Sequence, residues 1–268
     1  MESTPSEFYP DSTSLVEVRS YFVRGRNALL VRAEFGPMFM DYYLHVADHN
    51  LRLQEELDVR MKEALVGVTL HCASRPWNEA HAWTVNFHDP RANIFVTGDN
   101  RNSGITGRCF TENVRAGDQQ FFFSQVQKAH LPVRQSTIDF DGGSFLRAVE
   151  KFYARSEQRM ARFSEFGDED YVFITAQPQC DEAWLESLTV EKIQTLDRDE
   201  ALSLLEVRNY RWHCGCTIEK LYAALLPHAS RDMDGIFQGD EVLHATCPRC
   251  ARRYFIDREQ LESWVAAR

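Results

Sequence analysis

Nothing in the 268 residues approaches the run of roughly 18 uncharged apolar residues that a membrane span requires, and residues 1–10 lack both the basic and the apolar region of a signal peptide. A soluble, cytoplasmic protein is expected. Positive charge is short too: Lys and Arg number 30 against 40 Asp and Glu, a net charge of -10. That balance disfavours nonspecific nucleic-acid binding, which needs a basic field to displace phosphate counterions, though it leaves room for a local basic patch. There is no G-x-S-x-G elbow, no phosphate-cradling G-x-x-x-x-G-K-[ST] and no H-E-x-x-H. His45, His49, His71, His81, His88, His130 and His228 form no recognisable triad with a serine or cysteine, so no catalytic residue is assigned and no enzyme is expected. Internal repeats and low-complexity tracts are absent.

What is present suffices for one good core and a smaller appended unit, with 44% of residues hydrophobic. The charge is unevenly placed. Residues 164–206 hold twelve acidic residues against Lys192 and Arg198, and the rest of the chain balances at 28 of each sign. An acidic middle therefore separates two nearly neutral parts, as a linker or distinct layer would. Residues 1–19 are polar, with two prolines and no sustained period, and read as a loose extension; folded structure is expected to start near Tyr21.

Residues 26–34 read as a strand, and residues 39–70 have helical spacing broken near 52–58, enough for two helices. Short β-rich runs follow over 82–123, with turn residues between them, and predict a twisted antiparallel sheet. Ser144 is placed to cap a helix carrying Phe145, Ala148, Val149, Phe152 and Tyr153 on one face. Tyr171, Val172, Phe173 and Ile174 read as a strand. Residues 183–205 then read as two short amphipathic helices breaking near Asp197, marginal alone and open to local unfolding.

Seven cysteines in a reducing compartment point to metal binding or redox sensing more than to a disulfide framework, and the odd number agrees. Cys214-Gly215-Cys216, thirty intervening residues, then Cys247-Pro248-Arg249-Cys250 place four thiols in two close pairs. Such pairs close a tetrahedral zinc site, in which the metal holds each sulfur as thiolate and links two weak segments. Four incidental core cysteines would rarely fall in that pattern. One zinc ion is the expected cofactor, with Cys214, Cys216, Cys247 and Cys250 as ligands. Four protein ligands leave no position for an activated water, so the metal is expected to be structural or a switch. His213 and His244 lie beside the ligands and are expected to stay out of the set. Cys72, Cys109 and Cys180 read as buried small hydrophobes. A helix over 218–226, a strand over 252–256 and a helix over 258–265 surround the cysteines, in a domain small enough to depend on its metal.

The two cysteine pairs in this order, with Tyr254, Asp257, Arg258 and Leu261 after them, resemble the C-terminal hallmark of the heat-shock protein 33 family of redox-regulated chaperones. Tyr153-Ala154-Arg155-Ser156-Glu157-Gln158 looks like that family's Ser-Glu-Gln helix, and Asn93-Ile94-Phe95-Val96 with Gly107 like its core strands. The resemblance covers about residues 65–268, strongest at the cysteine end. It implies an α+β fold: a mixed or antiparallel-sheet core with packed helices, a helical linker layer and a small C-terminal zinc-binding domain. The expected divisions are a flexible extension over 1–19, a substrate-binding core over 20–163, an acidic helical linker over 164–208 and a redox-switch domain over 209–268.

The resemblance also implies ATP-independent holdase activity, switched on when oxidants convert the zinc thiolates to the disulfides Cys214 to Cys216 and Cys247 to Cys250. Zinc then leaves, the linker unfolds, and unfolding client proteins bind; homodimers on activation are a further implied partner. The thiolate chemistry is sound in itself, since thiolates and not thiols react with oxidants and a small domain loses its main support with its metal. An acidic linker would repel itself when packed and become a soluble arm when released. Two departures stand out. His88-Asp89-Pro90-Arg91-Ala92 replaces a glycine-rich turn, and Ala251 replaces the glycine after the last cysteine. A left-handed backbone at Ala251 would cost roughly 1 kcal/mol or more. Two other functions compete: a constitutive structural-zinc module for protein binding, and an RNA-binding zinc protein using Arg249, Arg252 and Arg253, weakened by Asp257, Glu259 and Glu262 nearby.

Overall fold

The computed structural model describes residues 14–114, 117, 119–167 and 169–267. Most of the expected N-terminal extension, residues 1–13, lies outside them. The first strand, β1 (Val16–Val23), begins ahead of Tyr21, because Val16, Val18 and Ser20 alternate inward and pair with a strand from the far end of the core. It continues into β2 (Ala28–Glu34), and then come the helices α1 (Gly36–Asp48) and α2 (Glu55–Ala73). Five strands follow: β3 (Glu79–His88), β4 (Arg91–Asp99), β5 (Gly104–Phe110), β6 (Gln120–Lys128) and β7 (Arg134–Phe140).

Helix α3 (Phe145–Arg155) starts where Ser144 accepts a hydrogen bond from the Arg147 amide, as its sequence position predicts. The chain then runs through β8 (Ala161–Phe166) and β9 (Asp170–Ala176) to three short helices, α4 (Glu182–Ser187), α5 (Val190–Gln194) and α6 (Leu196–Asp199). Strand β10 (Leu202–Trp212) comes next.

The ten strands make one sheet in the order β7-β6-β3-β4-β5-β10-β1-β2-β9-β8. Every pair is antiparallel except β5 with β10, which run parallel and meet only at Gly104 with Arg211 and Ile105 with Trp212. Two antiparallel halves are thus joined at a narrow seam. Helix α2 lies against both and is buried all round from Ala64 to Ala73, as a helix enclosed by the core must be. Its Cys72 Sγ fills the space that a side chain at Gly98 would need.

The other face of β1, β2 and β9 is covered by α4 to α6, which set Leu185, Leu188, Ile193 and Leu196 against Leu30, Phe166, Val172 and Ile174. With both faces covered, β9 is buried at every position. The expected pair of loosely held helices is therefore three helices tied down by their own apolar cluster. Residues 202–205, expected as helix, are instead the start of β10, since pairing with β1 overrides local preference. The span read as an acidic helical linker accordingly supplies strands β9 and most of β10 to the sheet as well as helices. Its charge is partly met by the core: Arg26 on the β1–β2 turn pairs with Asp181 at 2.8 Å and Glu200 at 2.9 Å.

After β10 come α7 (Ile218–Ala229), α8 (Met233–Phe237), β11 (Val242–Thr246), β12 (Arg253–Asp257) and α9 (Arg258–Ala266). Tyr222, Phe237, Ile256 and Leu261 form a small core of their own here. The overall α+β class, with a mixed sheet, packed helices and a small cysteine-bearing C-terminal unit, is the expected one. Among the described residues, no helix is long and apolar enough to cross a membrane.

Candidate metal centre

Four sulfurs meet where β10 runs out and β11 turns into β12. Cys214 and Cys216 lie between Trp212 and Thr217, whose hydroxyl caps α7 by accepting from the Lys220 amide, and Gly215 between them takes φ +66°. Cys247 and Cys250 lie on a tight knuckle: the Cys247 amide donates to the Arg252 carbonyl at 2.8 Å, and the Ala251 amide to the Cys247 carbonyl at 3.0 Å. Ala251 takes φ +64°, the left-handed backbone that its place after the last cysteine predicts.

All four Sγ atoms lie within 4.8 Å of one another. The Cys214 and Cys247 sulfurs are 3.7 Å apart and those of Cys216 and Cys250 3.6 Å. A tetrahedral ion with Zn–S bonds of about 2.3 Å sets its sulfurs about 3.8 Å apart, so the observed spacing fits a thiolate-bound divalent cation. The protons distribute accordingly. Hydrogen bonding from Cys214 lowers Cys216 to about 6 and draws Cys247 down as well, while Cys214 and Cys250 are raised as the sharing partners. Two further donors serve the cluster: the Tyr254 hydroxyl reaches Cys216 Sγ at 3.0 Å, and the Arg249 amide reaches Cys247 Sγ at 3.4 Å. A bound cation would hold all four as thiolates.

The other expectations sort simply. His213 and His244 stand outside the cluster, His213 with its amide on the Ile105 carbonyl and His244 against the Phe255 ring. Cys72 is fully buried, and Cys109 and Cys180 are partly buried; burial raises all three thiols, Cys109 to about 12, so none is a reactive thiolate. One pair reads differently in three dimensions. His45 and His49, one turn apart on α1, look in sequence like a solvated or core-edge pair. Here His45 is buried against Trp212, and its Nε2 donates to the Cys250 carbonyl at 2.6 Å; since a carbonyl only accepts, that nitrogen carries the proton. Arg108 on β5 donates to the Cys247 carbonyl at 3.1 Å. Core side chains thus grip the backbone of both knuckle cysteines, which pack into the main hydrophobic cluster. Only the 3.6-residue spacing of Tyr42, His45 and His49 hinted at this in the sequence.

Fold and site together define an α+β core joined to a small unit whose four cysteines could hold a metal ion. The family model described as Hsp33 protein matches residues 169–257. A curated relative, the 33 kDa chaperonin of Nitrosococcus oceani, is 20% identical over a match covering 48% of this chain and 52% of that protein, so the match spans about half the relative's length. The crystal structure of the 33 kDa chaperonin (heat shock protein 33 homolog) of Thermotoga maritima superimposes with a TM-score of 0.73 over 94% of this chain and 98% of that one, at 15% identity, and shares the fold. Residues 169–257 thus match the Hsp33 family, and the fold of the chain is that of the Thermotoga maritima protein.

Proposed function

We propose that the protein is a redox-regulated, ATP-independent holdase of the cytoplasm that binds unfolding proteins after a four-thiolate zinc site is oxidised. The observation that carries this reading is the tetrahedral spacing of Cys214, Cys216, Cys247 and Cys250 at the junction of the small unit with the core. Each disulfide takes two thiolates and passes two electrons to one peroxide, which with two protons leaves as two waters; sulfurs so paired no longer serve as thiolate ligands. The family pairing joins Cys214 to Cys216 and Cys247 to Cys250. All four sulfurs lie within 4.8 Å of one another in this fold, so each family disulfide would join sulfurs that are already neighbours within one segment.

On this reading residues 20–163 bind clients, 164–208 respond and 209–268 switch. The part that responds is α4 to α6, whose apolar cluster would have to leave the sheet face, because β9 and β10 are held in the sheet by backbone pairing. Dimer formation on activation belongs to the same reading. A second reading, a structural zinc module with inert thiols, is favoured by one observation: Cys247 and Cys250 are only 3% and 2% exposed. Peptide mapping after peroxide separates the two. Disulfides within each pair, with one zinc ion released per chain, support the switch; four thiols that stay reduced with zinc retained support the structural module.

A further inference from the structure

Beyond Ile105, strand β5 pairs on one side only. Its partner there is β4, and no strand of the described residues pairs with the other edge after the seam with β10. The Ile105 carbonyl accepts from His213 on that outer side. By the alternation of an antiparallel ladder, Gly107, which is buried, and Cys109, which is half-buried, turn their N–H and C=O groups the same way, into the space beyond the edge. That space is a cavity of about 610 Å³. One wall is the β5 edge; another is apolar, made by Tyr42, Val46, Leu53, Met61 and Trp212; Cys250 and Ala251 of the knuckle close it on a third side. Among the described residues its charged lining is two guanidinium groups, Arg52 and Arg108, against the carboxylate of Glu112.

We propose that this cavity is a client-binding surface for an extended, apolar, net-acidic segment of an unfolding protein, and that His45 and Arg108 keep it narrowed by latching the knuckle over it. The inference rests on the redox-holdase reading and adds the place and chemistry of binding. An unpaired strand edge beside an apolar wall suits an added strand, whose backbone pairs with Gly107 and Cys109 while alternate side chains enter the cavity. A helix has no free backbone groups to offer that edge. The positive lining favours acidic over basic flanks. The latch consists of bonds to the carbonyls of two zinc ligands, so knuckle geometry and latch are coupled in both directions: loss of the cation frees the knuckle, and loss of the latch weakens the knuckle's hold.

Amide hydrogen exchange on the full native chain tests this without any substitution, using as probe an apolar peptide flanked by glutamates. Peroxide treatment is expected to speed exchange at Gly107 and Cys109 about tenfold, and the peptide to reverse most of that, with a lysine-flanked version of the same peptide far less effective. In the reduced state His45→Leu is expected to speed exchange at the same two amides, whereas His45→Gln, which keeps a donor in reach of the Cys250 carbonyl, stays close to native. If zinc leaves and the peptide binds while exchange at these amides ignores the peptide, the binding surface lies elsewhere and this proposal falls while the holdase reading stands. If His45→Leu exchanges like the native chain, the latch falls. If peroxide releases no zinc, the holdase reading fails first and takes this inference with it.

Discussion

His45 Nε2 stands 2.6 Å from the carbonyl oxygen of Cys250, a hydrogen bond that joins the first core helix to the last cysteine of the thiol cluster across 205 positions of sequence. The bond is buried, so removing its donor leaves a carbonyl without its core partner. His45→Leu is expected to destabilise the metal-bound protein by about 1–3 kcal/mol and His45→Gln by much less, as read from denaturant midpoints at fixed zinc.

Ala251 sits in the left-handed region at φ +64°. Ala251→Gly relieves a backbone cost of about 1 kcal/mol but gives up a buried methyl group worth up to about 0.8 kcal/mol, so its net effect is expected to be under 1 kcal/mol. Ala251→Val adds a β-branch to the same backbone and is expected to weaken zinc binding about tenfold or more. Competition with a chromophoric chelator checks both. Equal affinities for the valine and alanine forms would show that the knuckle does not need this backbone.

Gly98 and Cys72 form a second tight contact. A Cβ at position 98 would lie 2.5 Å from Cys72 Sγ and 2.8 Å from Ile105 Cδ1, both in the packed core. Gly98→Ala is expected to cost about 1–3 kcal/mol. Adding Cys72→Ala opens room, and the double substitution is expected to cost less than the sum of the two singles, as a double-mutant cycle in urea would record.

Much of this arrangement was readable in advance where local chemistry decides it. The Ser144 cap, the apolar run of β9, the segments after Cys250 and the two cysteine pairs all stand where the sequence places them. Strand β10 was not readable. Its residues 202–205 continue an acidic, helix-compatible stretch, and only pairing with β1, nearly two hundred positions earlier, makes them extended. The role of His45 was hidden for the same reason, because its partner is a backbone carbonyl brought near by the fold and no pattern in one sequence encodes that meeting. The acidic helices misled in the opposite direction: their charge is obvious, while Leu185, Leu188, Ile193 and Leu196 show their purpose only against the sheet face they cover.

A buried chain of hydrogen bonds gives the core its own pH dependence. His71 Nδ1 is 2.6 Å from the Tyr153 hydroxyl and its Nε2 3.1 Å from His81 Nδ1, with Glu79 3.4 Å from the far side of His81. Burial, aided by Arg75, holds both imidazoles neutral, with His71 well below its usual range and His81 lowered to about 3. A base whose pKa is lower in the folded state stabilises the fold fully above its unfolded pKa of about 6.5 and loses that contribution as pH falls below it. Each histidine is then expected to remove about 1.4 kcal/mol per pH unit between about 6.5 and its folded pKa. Urea midpoints at pH 7 and pH 5 should show it, and His81→Gln should reduce the slope by one histidine's share, since His45, His49 and His213 are lowered as well. A midpoint independent of pH in this range would mean that the pair is charged or solvated.

The most direct test of the redox switch records zinc and client in one cuvette: purified protein with a chromophoric chelator, peroxide added at mild heat, and light scattering from an aggregating client followed together with zinc release. Zinc release that coincides with suppressed scattering, and fails together with it when all four of Cys214, Cys216, Cys247 and Cys250 are replaced by serine, is the expected result. Zinc that stays bound, or leaves with no gain in protection, would contradict the switch and leave a structural metal in its place.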